Sequence, residues 1–192
     1  MKKQFLYICL FLMSLLLISG SCKKEKIGIA ALPEATQEGK NTFGCLLNGK
    51  AFLPKGSAFG SPVLNCYYQY INDSKGNGYY FHVSASKETD KECEVYSIAI
   101  NSTLMSIEEG ETYPLKSESI GNISGDFWYY PPSCVSNFTH YSTTSNSIGE
   151  LKITHFDQTR QIVSGTFWFD AINDKGEKVE VREGRFDMKY TL

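Results

Sequence analysis

From Gly149 to Tyr190 the chain reads GELKITHFDQTRQIVSGTFWFDAINDKGEKVEVREGRFDMKY, a run that admits little besides a three-stranded antiparallel meander. Phe167, Phe169 and Ala171 alternate with Thr166, Trp168 and Asp170. Val179 and Val181 alternate in the same way with Lys178, Glu180 and Arg182. A period of two sends one set of side chains to a core and the other to water, which is the signature of a half-buried strand. Asn173-Asp174-Lys175-Gly176 joins the last two strands, and Gly176 can take the positive φ of a bulged hairpin turn.

The rest of the chain repeats the theme in shorter pieces. Phe43 to Pro54 carries Asn48-Gly49 between two apolar stretches, a strong hairpin signal because both central positions of a type I′ turn need positive φ. Val63 to Ile71 and Tyr79 to Ser86 form a second hairpin across residues 72–78, and Val95 to Asn101 is the next strand. Glu108 to Leu115 is a turn leading to a short edge segment, where Pro114 is tolerable because an edge residue need not donate to a ladder. Ile123 to Tyr130 and Phe138 to Thr143 follow, and no segment sustains a helical apolar period over ten or more residues, unless Leu104 to Glu109 contributes a turn. About nine to eleven short strands in sequential order predict an all-β fold, an antiparallel meander. A lipocalin-like or otherwise rolled barrel ranks first and a two-sheet sandwich second.

The N-terminus sets location. Lys2 and Lys3 precede an apolar run from Phe5 to Ile18 that is too short for a comfortable membrane span and reads as a secretory signal. Ser19-Gly20-Ser21-Cys22 resembles the lipobox of bacterial lipoproteins, which implies cleavage before Cys22 and a lipid on its sulfur. The expected organisation is a signal peptide over 1–21, a lipidated cysteine with a flexible tether over 22–41, and one all-β domain over 42–192. Losing the two signal lysines leaves 19 − 2 = 17 basic against 21 acidic residues, a net charge of −4. Without a basic patch to neutralise phosphates, nucleic acid is not an expected partner.

The lipobox-like cysteine, the opening FGCLLNGKAFLP hairpin, the GETYPL segment and the closing meander together resemble the small exported lipoproteins of unknown function found in Bacteroidota. The likeness spans Phe43 to Tyr190 and rests on turns and core positions. It implies an exported all-β domain; with no aspartate-rich run directly after Cys22, the periplasmic face of the outer membrane is expected over the surface. It carries over no catalytic residue.

Four cysteines remain beyond Cys22, namely Cys45, Cys66, Cys93 and Cys134; in an exported chain they permit two disulfides in three possible pairings, and at least one disulfide is expected, with unpaired buried cysteines as the alternative. Their spacing contains no CxxC pair, so a zinc site is not expected. His82, His140 and His155 lie in strand-like segments without an HxH or HExxH partner, and no GxSxG elbow presents a serine. No catalytic residue, metal ligand or cofactor is therefore expected. Asp157 reads as a turn former that bonds amides two residues on, and Glu180 as part of a solvated, cross-strand-paired face.

Aromatic residues carry what functional signal there is. Phe127-Trp128-Tyr129-Tyr130 places rings on both faces of one strand, as do Tyr67, Tyr68, Tyr70, Tyr79 and Tyr80, and Trp168 opposes Phe167 and Phe169 in parity. Cross-strand packing accounts for such residues in a small β domain, and a ligand-stacking platform at Trp128, Tyr129 or Trp168 is the functional alternative. The expectation is a non-enzymatic binding or structural module, membrane-attached through Cys22. Its candidate ligands are an apolar small molecule inside a barrel lined by Val163, Phe167 and Phe169, or a glycan on exposed rings; a hydrolase with a dispersed site stands behind both.

Overall fold

The computed structural model describes residues 27–57, 60–132, 137–146 and 148–192. The signal segment 1–21, Cys22 and Cys134 lie outside the described residues. Eleven strands are present among the described residues: β1 (Thr42–Leu47), β2 (Lys50–Phe52), β3 (Leu64–Asp73), β4 (Gly76–Glu88), β5 (Val95–Ser102), β6 (Thr112–Pro114), β7 (Ile123–Tyr130), β8 (Thr139–Ser142), β9 (Gly149–Asp157), β10 (Ile162–Ile172) and β11 (Lys178–Lys189). They form one antiparallel sheet in the order β2-β1-β11-β10-β8-β7-β5-β4-β3, with β9 pairing both β10 and β6. A 3₁₀ turn runs over Gly28–Ala31.

The turns follow their chemistry. Asn48 and Gly49 take φ of 48° and 77°, the conformation their hairpin requires, and the Asn48 side chain also accepts the Glu180 amide at 2.8 Å. The second hairpin is tighter than its sequence suggests. Asn72 pairs Asn77 and Asp73 pairs Gly76, so the turn shrinks to Ser74 and Lys75. Asp73 stabilises it by accepting the Lys75 amide at 2.8 Å and the Tyr80 hydroxyl at 2.8 Å. Asp157 does what its position predicts, accepting the amides of Thr159 and Arg160.

The sheet curls into a half-barrel, and a separate second sheet, as a sandwich requires, is not what these strands form. Two short backbone bridges draw its ends together. The Tyr68 amide donates to the Thr191 carbonyl and the Thr191 amide to the Cys66 carbonyl, at 2.9 and 3.1 Å. Beyond β2, the Lys55 amide donates to the Ser86 carbonyl and the Glu88 amide to the Lys55 carbonyl. These contacts cover part of the β3 and β4 edge that would otherwise expose unpaired backbone.

Alternation decides which side chains enter the curl. Phe81, Val83, Ile98, Ile100, Ile123, Leu151, Ile153, Val163, Phe167, Phe169, Val181 and Phe186 are all buried in one core. Val163, Phe167 and Phe169 were the expected lining of an apolar-ligand cavity, and they are instead closed against other side chains. Phe167 meets Phe43, Phe169 and Phe186 at ring separations of 5.2, 6.4 and 6.3 Å. Glycines let the rings come this close: a Cβ at Gly184 would stand 2.5 Å from the Phe167 ring. The space that a lipid-like ligand needs is taken by phenylalanine, so that reading is set aside.

Two further expectations change. The tether assigned to 22–41 is not free over its second half. Leu32 is buried, the Pro33 ring packs where a Cβ of Gly44 would go, and Asp187 on β11 collects the next residues. Its carboxylate accepts the Thr36 hydroxyl at 2.6 Å and the amides of Glu38, Gly39 and Lys40 at 3.0, 2.7 and 3.2 Å, with the Ser164 hydroxyl at 2.8 Å. Composition showed a polar segment without a period; it could not show an acceptor some 150 residues away. The cysteine expectation also narrows. Cys45 and Cys66 are buried free thiols, and burial pushes both well above the usual thiol range. Each of the three two-disulfide pairings uses both of them, so all three are excluded.

Candidate functional site

On the outer face of the sheet His82, Asp126 and His140 converge. On β5 the buried Ile98 and Ile100 fix the inner face, so Ser97, Ala99 and Asn101 face outward. Register then sets their neighbours. Asn101 stands beside His82 of β4 and Ser124 of β7, Ala99 beside Ser84 and Asp126, and Ser97 beside Ser86 and Trp128. Tyr67 of β3 flanks His82 on one side, and His140 of β8 flanks Trp128 on the other.

A continuous chain of hydrogen bonds runs across four strands. Asp126 is the anchor, with 7 % of its side chain exposed although it lies on the outer face. It accepts the Asn101 amide at 2.9 Å, the Ser124 hydroxyl at 3.4 Å and His140 Nε2 at 2.8 Å. Because the Asn101 nitrogen donates to the carboxylate, its oxygen must be the group 2.6 Å from His82 Nδ1. His82 Nδ1 therefore carries the proton, and Nε2 is left to accept the Ser84 hydroxyl at 2.9 Å. Burial lowers the His82 pKa and favours this neutral ring. Burial also raises the Asp126 pKa, against the opposing hydrogen bonds from His140 and Asn101.

Aromatic rings bracket the chain. Tyr67 stacks on His82 at 4.9 Å and 13° between planes, and Trp128 stacks on His140 at 4.9 Å and 7°. His140 covers one face of the indole. On the β5 side the Trp128 neighbour is only Ser97, whose hydroxyl lies 2.9 Å from that of Ser86. Beyond His140 the sheet splits, since β8 meets β10 in a single pair, Ile172 with Ser142. A cleft of about 580 Å³ opens there between Phe138, His140, Ser142 and Thr144 on one side and Ile172 to Lys175 on the other.

A family model for a domain of unknown function, DUF6252, matches residues 83–188, more than half of the 192-residue chain. The chain belongs to the DUF6252 family. The matched span takes in Ser84, Asn101, Asp126, Trp128 and His140, and begins one residue past His82. No curated protein and no solved structure matches the chain.

The three aromatic candidates have separate fates in this DUF6252 fold. Trp128 is half-buried at the centre of the outer-face site. Tyr129 turns inward, packs against the core and donates its hydroxyl to Glu94 at 3.2 Å, which removes it as a stacking platform. Trp168 lies outward on β10, but Arg182 sits 5.5 Å above its ring and its Nε1 lies 3.4 Å from Glu150. Of the histidines, His82 and His140 share one network, whereas His155 binds Glu109 at 3.0 Å elsewhere. Among the described residues no group of three His, Cys, Asp or Glu side chains could hold a metal ion.

Sequence reasoning passed over Asp126, Asn101 and Ser84. The available signal was Asp126 itself, an acid within the apolar ISGDFWYY run at an outward parity. Its partners come from strands 14 to 25 residues away, and only register supplies that information.

Proposed function

We propose that this protein is a lipid-anchored, non-enzymatic module of the cell envelope whose outer face binds a glycan. The Trp128 ring carries the reading. It is held upright by His140 on one side and is flanked on the other by small hydroxyl residues, an arrangement suited to a sugar ring that stacks on the indole and hydrogen-bonds beside it. His140, 41 % exposed, keeps Nδ1 available, and the Ser84 oxygen retains lone pairs because its proton is committed to His82. The order Ser84, His82, Asn101 also brings to mind a nucleophile, a base and its orienting amide. Ser84 sits in mid-strand between Asn65 and Ala99, where the surrounding amides serve the ladders and leave no pair of donors for an oxyanion. Binding is therefore the better-supported use of these groups.

A glycan array followed by calorimetry on the hits tests the outer face. Trp128→Ala is expected to weaken binding about tenfold or more, a loss of about 1.4 kcal/mol or above. Trp168→Ala, whose ring Arg182 already covers, is expected to leave it unchanged. Equal affinity in wild type and Trp128→Ala sinks the proposal.

The anchor is supported by the Ser19-Gly20-Ser21-Cys22 sequence, and the location proposed with it is the outer membrane, on the periplasmic side. The remaining cysteines fit export. With Cys45 and Cys66 excluded, the available partners are Cys93 and Cys134. Val95 and Tyr130 are cross-strand partners, so the chain enters β5 just after Cys93 and leaves β7 shortly before Cys134. Intact mass of the membrane-extracted protein is expected to show a diacylglyceryl group at Cys22 and the loss of hydrogens for one disulfide. Cys45 and Cys66 should react with a thiol reagent only after unfolding. An unmodified Cys22, or four titratable thiols from Cys45, Cys66, Cys93 and Cys134, contradicts this assignment.

A further inference from the structure

The open end of the half-barrel carries a second surface, separate from the Trp128 face. Inner-face parity continues along β3 from the buried Tyr68 to Tyr70, which is 63 % exposed because the core ends there. Tyr79 of β4 lies flat on Tyr68 at 4.6 Å and 2° between planes, and Tyr70 stands across Tyr79 at 5.2 Å and 78°. Tyr68 is held from behind by the edges of Phe156 and Tyr190, at 5.0 and 6.0 Å. The rings thus make a fixed corner with a buried footing and an exposed rim. An open cleft of about 630 Å³ lies against it, lined also by Gln69, Ile71, Gln158 and Leu192.

The chemistry of this cleft is specific. None of its lining side chains is ionisable at neutral pH, in a chain where 21 % of residues are charged. The nearby charges are also committed to each other, since Arg160 Nε binds Asp157 at 2.6 Å. Gln69 and Gln158 offer amides that can donate and accept at once, and Tyr70 and Tyr79 offer hydroxyls at the rim. An anionic ligand would lose hydration here without gaining a counter-charge. An apolar ligand would strand the amides and hydroxyls. A neutral ring with apolar faces and hydroxyl edges meets both demands, through stacking on tyrosine and bidentate bonds to glutamine.

We infer that the tyrosine-lined mouth is a binding site for neutral oligosaccharide, independent of the outer face around Trp128. The two sites would let one anchored domain hold a polysaccharide at two points, which raises avidity without a new contact.

Calorimetric titration of the full mature chain with cello-, malto- and chito-oligosaccharides, and with an oligogalacturonate as charged comparison, tests this. The Trp128→Ala background isolates the mouth from the outer face. At least one neutral series is expected to bind in that background, about tenfold or more weakly once Tyr70→Ala is added, and severalfold more weakly with Gln158→Ala. Tyr70 is largely exposed, so its removal should leave the melting temperature near that of the parent, and the melt is recorded alongside. The inference is overturned if no neutral series binds in the Trp128→Ala background, if Tyr70→Ala binds equally well, or if the oligogalacturonate binds more tightly than the neutral series. Loss of all binding in Trp128→Ala alone would leave the outer face standing and remove the mouth.

Discussion

Replacing Asp187 with alanine is expected to destabilise the domain by about 3 kcal/mol, because it leaves several donors around a buried acceptor without a partner. The Gly39 amide and the Ser164 hydroxyl are the most enclosed of these, and Thr36, Glu38 and Lys40 lose their hold on β11 at the same time. Asparagine is not a rescue, since its NH₂ group would point a donor at donors. The same carboxylate sets an acid dependence. Burial alone would raise its pKa, but the bonds from Thr36, Glu38, Gly39 and Ser164 outweigh burial and bring it down to about 2. A folded-state pKa below the unfolded value gives stability that is fully present above about pH 4 and is lost as pH falls toward 2. Urea melts between pH 7 and pH 2.5 should therefore show wild type losing stability at the acid end more steeply than Asp187→Ala. Parallel pH curves for the two proteins would mean that Asp187 is not the group that fastens the N-terminal segment. Limited proteolysis gives a second reading, with cleavage between Leu32 and Asn41 expected to accelerate in the variant.

Phe169→Ala is expected to cost about 4 kcal/mol, at the level of large cavity-forming substitutions. The ring is fully buried and lies where Gly125 and Gly149 leave room for it, with a Cβ on Gly125 standing 2.9 Å from the ring. Gly125→Ala in the native background should be destabilising by about 1 to 3 kcal/mol through overpacking. In the Phe169→Ala background the same change has space to occupy and should cost little. Chemical denaturation of the four proteins in this cycle measures the coupling. Additive losses would show that the ring and the glycine do not share one volume. The cycle also bears on function, because a core filled this tightly by Phe169 has no room for an apolar ligand.

Much of the fold was written in local pattern. Asn48-Gly49 has the positive φ values its dipeptide requires, the alternation of Phe167, Phe169 and Ala171 faces the core as read, and the charges at Lys178, Glu180, Asp170 and Arg182 pair across the outer face. These features depend on residues one or two positions apart, or on neighbouring strands of one hairpin. The longer β3–β4 hairpin shows where local reading stops. Asn72 and Asn77 look like loop formers in isolation, and the sheet extends through them because the strands they end are already paired.

The candidate sites were far less legible. Trp128 and His140 could each be placed on a strand, but only the pairing of β7 with β8 stacks one on the other. Tyr129 was indistinguishable from Trp128 as a platform until the parity of the strand sent it to Glu94. Asp126 became a site residue only when Asn101 of β5 and His140 of β8 were brought to its two oxygens.

The sequence by itself determined an all-β chain, most of its turns and the core face of its closing strands, because period and φ preference are properties of short stretches. The tertiary structure decided that the interior is full, that residues 32–41 are fastened to Asp187, that Cys45 and Cys66 stay unpaired, and that His82, Asn101, Asp126 and His140 form one chain. The physical reason is register. Alternation tells which face a side chain takes, and only the alignment of strands distant in sequence tells which side chains meet on that face.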